Sequence, residues 1–178
     1  MTPMEAFYEA ESTSIIKHLE RRGMEGYYCP TRAEAVSLAC SFIPPGSTVS
    51  WGGSETLIQC GMLDAVKNGD YEVIDRDSAS SPQERSQLMH QALSADFFLM
   101  SSNAVTKDGQ LVEAISRIHE QAAPPNTLRL NLKTPCSVTG VCADCTSKDC
   151  ICAQTVVTRF NRTPGRIKVI LIGETLGY

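Results

Sequence analysis

Apolar residues recur at helical spacing through Met4, Phe7, Tyr8, Ile15, Ile16 and Leu19. Thr2 ahead of them supplies a cap and Pro3 suits the first helical position, while Arg21-Arg22-Gly23 is a normal C-terminal ending. Tyr27 to Cys29 predicts a short strand stopped by Pro30. Thr31-Arg32-Ala33-Glu34 then reads as a capping box for a helix reaching about Phe42. After the turn Pro44-Pro45-Gly46, Thr48 to Trp51 predicts a buried strand, and a helical pattern follows through Leu57, Ile58, Met62, Leu63 and Val66. Tyr71 to Ile74 predicts the next strand, leading into the charged loop Asp75-Arg76-Asp77. Ser81-Pro82-Gln83-Glu84 is a second capping box, for a helix to about Leu93. Phe97 to Met100 predicts a short strand, followed by the polar loop Ser101 to Gly109. A short helix is expected from about Glu113 to Ala122, stopping before Pro124-Pro125. Thr155 to Phe160 and Arg166 to Ile172 predict two final strands around Asn161-Arg162-Thr163-Pro164-Gly165.

Alternation of strand and helix predicts an α/β fold: a mainly parallel sheet with helices on both faces, the last two strands forming an antiparallel hairpin. At 178 residues one domain, 1–178, is expected, long enough for a substantial core. A net charge of -4 with no basic block argues against a nucleic-acid or anionic-membrane partner. No apolar run approaches the roughly 20 residues of a membrane span. The first residues carry no basic flank with an apolar core, so no signal peptide is expected. Eight cysteines without such a signal point to a reducing, cytoplasmic setting, where metal binding or free thiols outrank disulfides. The sequon Asn161-Arg162-Thr163 then has no consequence.

In open α/β sheets, ligands bind beyond the carboxyl ends of the strands. Two loops have that placement. In Gly52-Gly53-Ser54-Glu55, two glycines permit close backbone approach and a helix start offers amides to an anion. A tight turn explains the glycines equally well. Ser101 to Gly109 carries hydroxyls, an amide and a carboxylate, with a self-capping solvated loop as the plainer reading. His18, His90 and His119 fall on predicted helices without a neighbouring carboxylate motif, and no nucleophile or zinc-protease signature is present.

The densest chemical signal is the knuckle at 135–152, where five cysteines run C-x5-C-x2-C-x4-C-x-C from Cys136 to Cys152. The pair Cys142-x-x-Cys145 has chelating spacing. Three readings stand beside one another: a structural zinc site, an iron–sulfur cluster, and unligated or redox-paired thiols.

Four stretches together resemble one family. They are Val49-Ser50-Trp51-Gly52-Gly53-Ser54; Ala95 to Gly109; Thr134-Pro135-Cys136 with Thr139-Gly140; and Gly165 to Glu174. In order and spacing they resemble the LUD-domain family, the LutC/YkgG-like lactate-utilisation proteins, over nearly the whole chain. The resemblance implies a fold of the NagB/RpiA/CoA-transferase type and an association with bacterial lactate oxidation beside iron–sulfur partner proteins. It also implies that Cys136, Cys142, Cys145 and Cys152 are the matching thiol set, with Cys150 at a position more usually basic.

One departure is large. The family pattern continues after Val112 with a Gly/Asn-rich loop and an apolar strand before the stretch that starts at Glu113. Either the chain has lost that strand or residues are omitted between Val112 and Glu113. Omission is the expectation, since deleting a buried parallel strand exposes apolar faces on both sides.

The resulting expectation is a protein of bacterial lactate or organic-acid utilisation that binds a small organic anion or a nucleotide-like cofactor. Amides near Gly53 would hold the anion, while Ser101, Ser102, Asn103 and Thr106 orient it beside Ser54. Glu55 or Asp108 is the available acid or base, and no catalytic residue is assigned. The alternative is a non-catalytic accessory subunit docking an iron–sulfur oxidoreductase through the knuckle. A homo-oligomer is compatible with both.

Overall fold

A computed structural model describes residues 2–115 and 154–177. The described chain falls into two compact units: residues 2–28 with the described part of 102–171, and residues 29–101 with 172–177. The fold is α/β, with parallel sheets flanked by helices.

The second unit holds a three-stranded parallel sheet. Its strands are β2 (Thr48–Trp51), β3 (Glu72–Ile74) and β4 (Phe97–Leu99), in the order β3-β2-β4. β2 is parallel to both neighbours, with Ser50 opposite Ile74 on one side and Phe98 on the other. A central strand is covered on both faces, so Val49, Ser50 and Trp51 are all buried. Val49 and Trp51 share one face, two residues apart, and pack with Ile43, Met62 and Val66. The buried Ser50 hydroxyl donates to the Ile74 carbonyl at 2.8 Å, which satisfies it within the sheet.

Helices α2 (Arg32–Ser41), α3 (Glu55–Gln59), α4 (Met62–Asn68) and α5 (Pro82–Ala92) belong to this unit. Thr31 and Ser81 cap α2 and α5 by accepting the amides of Glu34 and Glu84. The box at α5 is displaced by one residue: the Glu84 carboxylate takes the amide and hydroxyl of Ser80. The single helical run expected through Val66 is two helices. Gly61 breaks it with a left-handed φ of 82°, a conformation that costs glycine little. The 3-10 turn Arg76–Ser78 follows β3.

The first unit contains α1 (Pro3–Arg21), with Thr2 as its cap and Pro3 in its first turn. Its core joins Leu19 and Met24 to Leu111, Val105, Ile167 and Val169. β5 (Ala104–Val105), β6 (Leu111–Ile115) and β7 (Gln154–Thr158) form an antiparallel sheet in that order. β1 (Glu25–Cys29) pairs with β8 (Lys168–Ile172). The Glu25 amide donates to the Ile167 carbonyl and the Gly173 amide to the Cys29 carbonyl, so the register rises together along both strands.

Two expectations change. The antiparallel pairing near the C-terminus is present, but β7 pairs with β6 while β8 lies beside β1; the short turn at 161–165 joins strands of different sheets. Residues 113–115 are strand, not the start of a helix. Antiparallel pairing of Glu113 with Val156 and Ile115 with Gln154 overrides local helix propensity there. β6 also runs without interruption through Val112 and Glu113, whose partners Val157 and Val156 are consecutive. The remainder of the expected helix, to Ala122, and the knuckle at 135–152 lie outside the described residues.

Candidate functional site at the strand carboxyl ends

The parallel strands β3, β2 and β4 end on the same side of their sheet. At the amino ends, Asp96 and Thr48 set the register of β2 against β4. At the carboxyl ends, the Gly52 amide donates to the Leu99 carbonyl at 2.8 Å, so the ladder extends one residue past Trp51. Gly52 has no left-handed φ, and a Cβ there would meet Phe98 and Met100 at ordinary contact distances.

Ser54 follows as the cap of α3. Its hydroxyl accepts the Leu57 amide at 3.2 Å. The same oxygen is 2.8 Å from the Ser101 hydroxyl, which comes from the end of β4. Two loops chosen from sequence therefore meet through these two side chains. Glu55 begins α3, and its carboxylate accepts the Gln59 side-chain amide at 3.1 Å, a one-turn pair on the helix surface.

Residues not singled out as site candidates hold α3 from its other end. The Arg32 backbone amide and Nε both donate to the Glu174 carboxylate. Arg32 Nη1 also donates to the carbonyl of Gln59 at 3.2 Å, satisfying a carbonyl at the end of α3. The Gly177 amide donates to the Gln59 side chain at 2.9 Å. Hydrogen bonds from Arg32, first through its backbone amide, hold Glu174 below its usual carboxyl range. The only sequence signal for this arrangement was the place of Arg32 inside the Thr31–Glu34 box. Nothing local marks Glu174 as its partner across 142 residues.

Beside β2, the Lys67 ammonium of α4 is 2.8 Å from the Asp75 carboxylate and 5.4 Å from the centre of the Trp51 ring. Burial pushes the Asp75 carboxyl up, but hydrogen bonds from Lys67 and the Asp77 amide outweigh it and keep the acid ionised. Burial also pushes the thiols of Cys60 and Cys29 up, so both stay protonated near neutrality.

Ser102, Asn103, Thr106 and Asp108 belong to the first unit. There the Asp108 carboxylate accepts the Thr106 hydroxyl at 2.6 Å, the Gln110 side-chain amide (Nε2) at 3.0 Å and Arg22 Nη2 at 2.7 Å. Those bonds, led by Thr106, hold Asp108 below its usual range. Its carboxylate serves the β5–β6 turn, where the Thr106 hydroxyl also accepts the Gln110 amide. A shallow groove of about 360 Å³ in the same unit is lined by Glu20, Glu25, Tyr27, Gly165 and neighbours, and includes none of the candidate residues. Among the described residues, no group of three or more histidine, cysteine, aspartate or glutamate side chains is placed to hold a metal. Cys136, Cys142, Cys145 and Cys152 lie outside them. No helix among the described residues is long and apolar enough to cross a membrane.

A family model for the LUD domain matches residues 13–114 and 110–172. The chain belongs to the LUD-domain family. The two matched stretches overlap at 110–114. No curated protein and no solved structure matched the chain. In this LUD domain, Trp51-Gly52-Gly53-Ser54 and Ser101 supply the loops at the carboxyl ends of two adjacent strands, and Ser54 joins them.

Proposed function

We propose that this LUD-domain protein binds a small organic anion of the lactate and pyruvate class at the carboxyl ends of β2 and β4, in the service of bacterial lactate or organic-acid utilisation. The observation that carries the reading is the Ser54–Ser101 pair, two hydroxyls 2.8 Å apart at the end of adjacent parallel strands, the usual ligand position in such sheets. Amides around Gly53 hold the anion, and the two hydroxyls orient its remaining polar groups. Glu55 is the nearby carboxylate available to exchange a proton. The reading assigns a binding site; it assigns no reaction. Titration of the full chain with L-lactate and with pyruvate, followed by calorimetry, tests it. Binding that weakens about tenfold in both Ser54→Ala and Ser101→Ala supports the site, tenfold being about 1.4 kcal/mol. Failure of the wild-type chain to bind either acid removes the reading.

The cysteine spacing, with the thiol set that the family resemblance implies, supports a second element of this proposal. Cys136, Cys142, Cys145 and Cys152 hold one soft cation, zinc ahead of an iron–sulfur cluster. Elemental analysis and an absorption spectrum of anaerobically purified protein test it. A colourless protein with one equivalent of zinc is the expected result, and a metal-free protein overturns it.

A further inference from the structure

Arg76 stands directly after β3, at the start of the turn Arg76–Ser78. β2 and β3 run parallel with Ser50 opposite Ile74, so Trp51-Gly52 and Asp75-Arg76 leave the sheet side by side. The contacts of Lys67 with both Asp75 and the Trp51 ring mark the same adjacency. Arg76 therefore emerges at the carboxyl edge that carries Gly52, Gly53 and Ser54, and within the same unit.

Its hydrogen bonding is incomplete. The side chain is only 15% exposed, and its buried Nε has no hydrogen-bond partner. The Asp77 carboxylate oxygen is 3.8 Å from that nitrogen, too far for a hydrogen bond, and it accepts Arg85 Nη1 at 2.8 Å. Asp75 is committed to Lys67 at 2.8 Å and to the Asp77 amide at 2.9 Å. Lys67, Arg76 and Arg85 thus share Asp75 and Asp77, with Asp64 also acting on Lys67, and none of these carboxylates gives Arg76 Nε a hydrogen bond. A buried guanidinium donor without an acceptor is unfavourable, and folded proteins rarely keep one without a use for it.

We propose that Arg76 is the residue that recognises the anion at this site, and that its ligand is a carboxylate taken by the Nε–Nη edge of the guanidinium. The proposal rests on the binding site argued above and names the cation that site otherwise lacks. A carboxylate presents two oxygens in one plane, matching the two parallel N–H donors of arginine, whereas lysine offers only a point charge. The exposed part of the side chain gives the anion its approach. Binding by this edge requires the side chain to turn so that Nε, buried in the unliganded protein, reaches the anion.

The test uses the full chain with 15N-labelled arginine. L-Lactate and pyruvate are titrated against the wild type, Arg76→Lys and Arg76→Gln, with inorganic phosphate as a control, and unfolding temperatures are measured alongside. The expected result is a shift of the Arg76 Nε–H resonance at saturation, with binding weakened about tenfold by Arg76→Lys and further by Arg76→Gln. If the wild type binds, its Arg76 signal stays still and Arg76→Lys binds equally well, this inference fails while the site survives. If the wild type binds neither acid, both fail. A response to phosphate alone overturns the carboxylate assignment. The wild-type resonance decides the matter even if a variant does not fold.

Discussion

Asp96 and Thr48 grip each other at the amino ends of β4 and β2. The Thr48 amide and hydroxyl donate to one Asp96 carboxylate oxygen at 2.9 and 2.7 Å, and the Asp96 amide donates back to the Thr48 hydroxyl at 2.9 Å. Three bonds between two residues pin the parallel register at one end of the strands whose other ends carry Ser54 and Ser101. The register of a strand is costly to change, because a slip by one residue turns its buried face outward.

The grip titrates. Hydrogen bonds from the Thr48 side chain, then its amide, hold the Asp96 carboxyl below its usual value of 3.8. A depressed carboxyl contributes stability that is present above its unfolded pKa and lost as pH falls through the folded one. Wild type should therefore lose stability below about pH 4, and Asp96→Asn should lose less over the same range. Thermal melts of both proteins at pH 7 and pH 3 give the comparison. Equal losses in the two proteins would mean that Asp96 carries no part of the acid sensitivity.

At the opposite end, Ser54 does two things at once. It caps α3 through Leu57 and meets Ser101. Ser54→Ala should cost about 0.5–2 kcal/mol, the usual cost of losing a cap. Ser101→Ala should cost less, about 1 kcal/mol, as one hydrogen bond. The double variant should fall short of the sum by about 0.5 kcal/mol or more, because the shared bond can be lost only once. Denaturant unfolding of the four proteins closes the cycle, and strict additivity would show that the two hydroxyls do not interact in solution.

Much of this arrangement could be read from local sequence. Thr48 to Trp51 gave the strand boundaries as observed, since a run of β-branched and aromatic residues bounded by Gly52-Gly53 has few alternatives. Ser54 and Ser101 follow β2 and β4 at the same edge of the parallel sheet, the strand-end position expected for their loops. What local pattern could not supply was pairing between distant elements. The last two strands look like a hairpin because the connection is short, yet each finds a different partner, β6 and β1. Glu113 to Ile115 has helix-compatible composition and becomes strand because β7 lies beside it. Arg76 read as one charge in a polar loop; only the structure shows its Nε buried without a partner.

The C-terminal segment depends on Arg32. With its amide and Nε on Glu174 and Nη1 on the Gln59 carbonyl, one side chain joins α2, α3 and residues 172–177. Lysine at this position keeps the charge but not the fork of donors. Arg32→Lys and Glu174→Gln should both speed amide hydrogen exchange at Gly173 and Gly177 relative to Val49. Unchanged exchange in both variants would show that the segment is held by Gln59 and the Cys29 carbonyl instead.

The end of α1 makes the most demanding steric prediction. The Gly23 amide donates to the Glu20 carbonyl and the Met24 amide to the Leu19 carbonyl, a Schellman ending with Gly23 at φ 72°. The returning chain lies directly on it. The Asn161 amide donates to the Arg22 carbonyl at 2.8 Å, and the Asn161 side chain donates to the carbonyls of Gly23 and Thr163. A Cβ on Gly23 would sit 2.3 Å from the Asn161 carbonyl oxygen, a backbone atom that cannot rotate away. Gly46 has nearly the same φ, 77°, but nothing within 4 Å of such a Cβ. Gly46→Ala should therefore cost only the left-handed strain, about 1–2 kcal/mol, which is about 2–8 °C in Tm for a chain of this size. Gly23→Ala adds displacement of the 160–163 segment and should cost clearly more. Melting the two variants side by side separates strain from collision, because they share the first and differ in the second. Equal Tm losses would mean that Asn161 yields freely, and that its bonds to the end of α1 do not fix the turn between β7 and β8.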